Sequence, residues 1–206
     1  MRLDRYPGCA RDRGRPDEGR LGSLFEYLMV IVSIILGLGI TQILRGFSKV
    51  ARSGSRSAVV VLFGVYVFVF HIQAWWALWD LHTFEAWNLG YFIFLIAIPC
   101  LLFACAELLF PMATTADTDW RAHYESVRVW FLGTLATLST IAVLETWLFL
   151  DVPLTHAYRV VQVSLIVLLI AGMFMRSYRL QLWLICSVLI IFSIGQAIFR
   201  LLPGLA

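Results

Sequence analysis

Seven side chains stand out because they are polar and lie where their neighbours are not. Glu26, His71, Gln73, Asp80, Glu145, Gln196 and Arg200 each sit inside or at the edge of a long apolar run. An ionisable group in hydrocarbon costs a few kcal/mol on insertion scales, and such groups turn toward one another or toward water. Their types point to three kinds of chemistry. Carboxylates and amides at a membrane mouth attract and guide cations or small polar solutes. An imidazole at mid-depth relays protons, contacts a ligand or binds a haem iron. An arginine close to carboxylates forms an ion pair that fixes helices in place.

The stretch "FHIQAWWALWDLH", residues 70–82, concentrates these groups. Gly64, His71, Trp75 and His82 follow one helical stripe, and Tyr66, Gln73, Trp76 and Asp80 follow another on the opposite side. A helix that is polar on two faces belongs in the middle of a bundle. Trp76, Trp79, Asp80 and His82 approach the water, where aromatic residues form an interfacial belt. His71 and Gln73 are too deep for that belt and are expected to line a narrow path. The bland alternative for His71 is a hydrogen bond to a neighbouring helix.

Composition explains why these groups are exceptional. The chain has 206 residues, of which 61% are hydrophobic and 14% charged. Soluble domains carry nearer a quarter charged residues, so this much apolar surface requires a bilayer as solvent. The net charge of +3 is too small and too scattered for a nucleic-acid binder. Three of the four cysteines, Cys100, Cys105 and Cys186, lie in apolar runs, and no CxxC occurs.

Six apolar segments reach the length needed to span hydrocarbon, near 24–44, 59–82, 90–111, 127–150, 157–175 and 181–201. They lack the alternation of barrel strands and so read as helices 1 to 6 of an all-α integral membrane bundle. Residues 1–22, with six Arg and four acids, read as a disordered polar tail preceding a transmembrane domain over 23–206. "SLFE" at Ser23–Glu26 reads as a capping box opening helix 1, and Asn88 and Thr155 as N-caps of helices 3 and 5. Pro99 falls inside helix 3, and Pro203-Gly204 closes helix 6. The polar stretch "TDWRAHYESVR" before helix 4 is compatible with helix, so helix 4 is expected to project from the membrane or to begin along its surface.

Threading the helices antiparallel defines two faces. Side A holds the start of helix 1 and the 2–3 and 4–5 loops, and side B the others. The 1–2 loop carries Arg45, Lys49, Arg52 and Arg56 without an acid, which places side B in the cytoplasm and both termini outside. The expected location is a bacterial inner (plasma) membrane. Ser33, Gly37 and Thr41 form a small-residue stripe for helix packing, in line with Glu26. Glu26, Asp80, Glu145 and Arg200 converge on side A, where Arg200 is expected to pair with an acid. Glu107, near side B, is expected to snorkel.

HExxH, GxGxxG, a rhomboid-like GxSG and TVGYG are all missing from the sequence, so no enzyme and no metal site is expected. Three functions remain: an ion or proton channel or small-solute transporter subunit, expected to be homo-oligomeric; a non-catalytic sensor, assembly or effector module; and a redox protein holding haem or quinone. The first ranks ahead. Haem, which would need His82 with His156, is disfavoured, and no cofactor is expected.

Overall fold

The structure is a computed structural model that describes residues 16–78, 88–114, 118–148, 153 and 155–198. These residues form helices α1 (Pro16–Arg52), α2 (Ala58–Ala77), α3 (Leu89–Leu109), α4 (Trp120–Leu148), α5 (Tyr158–Phe174) and α6 (Tyr178–Gln196), with no strand among them. Five are long and apolar enough to cross a membrane, and α5, at 17 residues, is a shorter apolar helix. At 1.5 Å per residue α5 is about 25 Å long, just short of a typical hydrocarbon core. The chain is a multi-pass helical membrane protein. Its large exposed side chains, such as Ile34, Ile93, Trp130, Val167 and Trp183, are what a lipid-facing surface requires.

Several boundaries differ from expectation. α1 starts at Pro16 rather than near residue 24 and runs on to Arg52. Ser23–Glu26 therefore lies inside the helix and is not its start, and part of the expected tail is helical. The physical reason is local: proline is preferred in the first helical turn, where its missing N–H costs nothing. α4 begins at Trp120, so the polar stretch extends the spanning helix, to about 43 Å. Asp119 initiates it, its Oδ1 accepting from the backbone N–H of Arg121 at 3.0 Å and of Ala122 at 3.2 Å. Those bonds and one from Ser55 Oγ hold the exposed Asp119 carboxyl below the usual aspartate range.

Asn88 caps α3 as expected, accepting from Tyr91 N–H at 2.9 Å. Thr155 does not cap α5. The N-cap is Ala157, and His156 Nδ1 accepts from Tyr158 N–H at 3.2 Å instead. The expected stops of helix 6 at Pro203-Gly204 lie outside the described residues.

Packing follows from one seam on α1. Leu28, Val32, Leu36, Gly39, Ile43, Gly46 and Val50 are all buried there, at steps of three and four. Two glycines in this seam permit close approach. A Cβ on Gly39 would overlap His71 Nε2, and one on Gly46 would overlap the Phe110 ring. α2 packs against α1, α3, α4 and α6, which makes it the central helix. In the side B half the core is aromatic and tight. Phe63 stacks on Tyr124 at 5.7 Å and meets Phe131 edge-on at 5.2 Å, and Phe110 meets Phe47 and Trp120 at 5.6 and 6.0 Å.

Candidate functional site

The two ends of the bundle are built differently. At side B, polar side chains close helix ends. Gln42 Nε2 donates to Glu107 Oε2 at 2.7 Å and to the Phe110 carbonyl, and Glu107 Oε1 accepts from Met112 N–H at 3.2 Å. Glu107 is thus a bonded partner inside the fold and does not snorkel freely. Lys49 Nζ donates to the carbonyls of Pro111 and Met112 and to Thr114 Oγ1, at 2.9–3.1 Å. These bonds satisfy carbonyls left open where α3 ends. Deeper in, Tyr124 O–H donates to Gln181 Oε1 at 2.7 Å, and Gln181 Nε2 donates to the carbonyls of Gly172 and Met175 at 2.7 and 2.8 Å. One buried amide therefore ties α4, the end of α5 and the start of α6 together.

The side A half is more open. A partly enclosed cavity of about 90 Å³ lies among α1 to α5. Its floor and sides come from Leu36, Phe70, Leu95, Pro99 and Ala142, and its polar groups from Gln73, Glu145, Thr146, Tyr158 and Gln162. Ala77 and Leu78 at the end of α2, with Tyr158 at the start of α5, place its outer rim toward side A. The space admits several water-sized groups.

Arg159 organises one wall. It is 5% exposed, and its Nη1 donates to Thr146 Oγ1 at 2.6 Å, Gln162 Oε1 at 2.8 Å and the Val143 carbonyl at 3.2 Å. The guanidinium thus stands behind two lining residues and joins α4 to α5. Gln196 Nε2 donates to Tyr158 Oη at 3.2 Å, which brings α6 to the same wall. Glu145 has no cation within ion-pair distance among the described residues, where the single ion pair is Arg121–Glu125 on the surface. Tyr91 lies within electrostatic reach of Glu145. Gln73 Oε1 is buried at the cavity wall without a hydrogen-bond partner.

The expected site residues separate into three groups. Gln73 and Glu145 meet in the cavity, and Gln196 reaches its wall through Tyr158. His71 does not join them. Its ring is fully buried, Nδ1–H donates to the Val67 carbonyl one turn back at 2.8 Å, and Nε2 faces Gly39 without a hydrogen-bond partner. His71 and Gln73 leave α2 on different faces, and of the two only Gln73 lines the cavity. Glu26 is exposed, and Asp80, His82 and Arg200 lie outside the described residues, as does any pairing of Arg200.

The small-residue stripe is also displaced. Gly37 and Thr41 are exposed, a Cβ on Gly37 would meet nothing within 4 Å, and Thr41 Oγ1 donates to Gly37 O at 2.8 Å. Ser33 accepts from Trp75 Nε1 at 3.3 Å. Gly37 and Thr41 lie on the outer face of α1, and close packing within the chain uses Gly39 and Gly46. Arg159, Gln42 and Gln181 were not singled out from the sequence. Arg159 and Gln181 lie in the first turn of their helices and Gln42 opposite the end of α3, places from which a side chain can reach open carbonyls.

Among the described residues no group of three or more His, Cys, Asp or Glu is arranged to hold a metal ion. No protein-family pattern, curated protein or solved structure matches this chain.

Proposed function

We propose that this protein is a small-solute transporter that works as a carrier, with its binding step in the side A cavity. The supporting observation is the asymmetry of the bundle. A carboxylate and two amides line a partly enclosed space in one half. In the other half, stacked aromatics and the Gln42–Glu107 and Tyr124–Gln181 bonds fill the interior. A pore through one subunit would need a hydrated path at both ends. A carrier at rest has a site reachable from one face only. Gln73 and Glu145 are the binding residues in this reading, and Arg159 is a positioning residue that holds Thr146 and Gln162.

The alternative is a membrane sensor or assembly module without transport. The tight seat of His71 against Gly39 favours it, since the imidazole is fully buried and fills the space between the two helices on that face. Reconstitution into liposomes separates the two. A carrier shows saturable uptake of at least one small solute, reduced at least tenfold by Glu145→Gln. A sensor binds a solute but moves none.

A further inference from the structure

We infer that the ligand of the side A cavity is a small organic ammonium ion with a short apolar body. The inference rests on the carrier reading and names its substrate class. Three features carry it. First, the wall carries a negative charge with no counter-charge among the described residues. Among the described residues, Glu145 contributes a carboxylate with no cation at ion-pair distance, and Gln73 contributes an Oε1 with no donor. A ligand bearing N–H groups gives the Glu145 carboxylate a donor, and a charged donor makes the stronger bond. Second, most of the wall is apolar. Leu36, Leu95, Ile98 and Ala142 have no group that could coordinate an ion, so a bare metal ion, which needs six or more oxygens, is poorly served. An alkyl group fills that part of the space. Phe70 adds an aromatic ring to the wall, a surface that attracts cations. Third, among the described residues the nearby positive charge is already committed. Arg159 Nη1 spends its bonds on Thr146, Gln162 and the Val143 carbonyl, and the residue is not part of the lining. Among the described residues of the wall an anion would find no free donor of comparable strength, and a neutral alcohol would leave the carboxylate without a counter-charge.

The test uses the full chain in lipid nanodiscs. n-Propylammonium, 1-propanol and propionate are titrated separately, with binding read by calorimetry and by tryptophan fluorescence. Saturable binding of n-propylammonium at least tenfold tighter than of the other two is expected. Glu145→Gln weakens it roughly ten- to hundredfold, the loss expected for one charge-assisted bond. Glu145→Asp recovers part of that loss, and Ala142→Leu, which fills the space, removes binding. Melting curves of each variant confirm that it is folded, and Ala74→Leu on the facing helix replaces Ala142→Leu if that variant does not fold. Equal binding of propanol or propionate, an affinity for n-propylammonium unchanged by Glu145→Gln, or no binding of n-propylammonium overturns the substrate class. Uptake into liposomes is then measured separately. Ammonium binding without uptake overturns the carrier reading and leaves the substrate class standing. Saturable uptake of a neutral or anionic solute, insensitive to Glu145→Gln, overturns the substrate class and leaves the carrier reading standing.

Discussion

Two alanine substitutions on α1, two residues apart, are expected to have opposite consequences. In Gly39→Ala the new methyl would overlap His71 Nε2 and lie 3.0 and 3.2 Å from the ring Cδ2 and Cε1. Carbon and nitrogen in van der Waals contact stay about 3.5 Å apart or more, so ring or helix must shift by roughly an ångström. His71 is fully buried and tied to Val67 at 2.8 Å, which leaves the ring little freedom to retreat. Overpacking of a filled core costs about 1–3 kcal/mol, and Gly39→Ala should fall in that range. In Gly37→Ala the methyl meets nothing within 4 Å, and stability should rise by about 0.5–1 kcal/mol, the gain of alanine over glycine inside a helix. The assay is unfolding in mixed micelles by titration with a denaturing detergent, followed by circular dichroism. His71→Ala supplies the internal control. It opens the space that the added methyl at position 39 needs, so the double variant should be more stable than the sum of the single effects, by about 1–3 kcal/mol. Gly39→Ala as stable as the parent, or equal losses at positions 37 and 39, would refute the packing of α1 on α2 and with it the tight seat of His71.

Other substitutions probe the polar ties. Gln181→Leu strands the Tyr124 hydroxyl and the carbonyls of Gly172 and Met175, at roughly 1–3 kcal/mol for each group left unpaired, and should lower the unfolding midpoint more than Gln196→Leu does. Arg159→Lys keeps the charge but not the planar fork, so α4 and α5 should separate more readily; hydrogen exchange at the start of α5 would report it, and unchanged exchange would count against the tie. Asp119→Ala should fray the start of α4, seen as faster exchange of the Arg121 and Ala122 amides. The Asp119 carboxyl titrates below the usual aspartate range in the folded protein, so its contribution is present above the unfolded value and is lost as pH falls through the folded one. The difference between Asp119→Ala and the parent should therefore vanish in acid, and a difference that persists there would be evidence against the charged cap.

Hydrophobicity made the helices legible, because each long apolar run has few ways to satisfy its backbone in lipid except as a helix. Asn88 was legible for a similarly local reason, since a cap depends on residues three apart. Helix ends in water were less so. Pro16 and Asp119 start their helices beyond the apolar runs, where hydropathy is silent. The site was legible in part. Gln73 and Glu145 were conspicuous as polarity inside apolar runs and line the cavity, while His71 was equally conspicuous and packs against Gly39. Periodicity places a residue on a face but cannot say what the facing helix presents. The same limit hid the choice between two small-residue stripes on α1. Ser33–Gly37–Thr41 has the tighter spacing, but His71 and Phe110 project toward Gly39 and Gly46, and the large partner decides which stripe is buried. Arg159 lies just past a loop, where hydropathy gives a charge no special weight. Its burial depends on Thr146 and Gln162 from two different helices, a coincidence that only the folded chain creates.

One-sided access to the cavity is tested most directly by thiol labelling. With the native cysteines replaced, single cysteines are introduced at Ala142 in the cavity, His156 at the side A loop and Ser55 at the side B loop. A membrane-impermeant maleimide is then applied to each face of sealed vesicles in turn. Position 142 should label from the face that labels 156 and stay protected from the face that labels 55. Labelling of 142 from the face of position 55, or from neither face, would contradict a solute site open to side A.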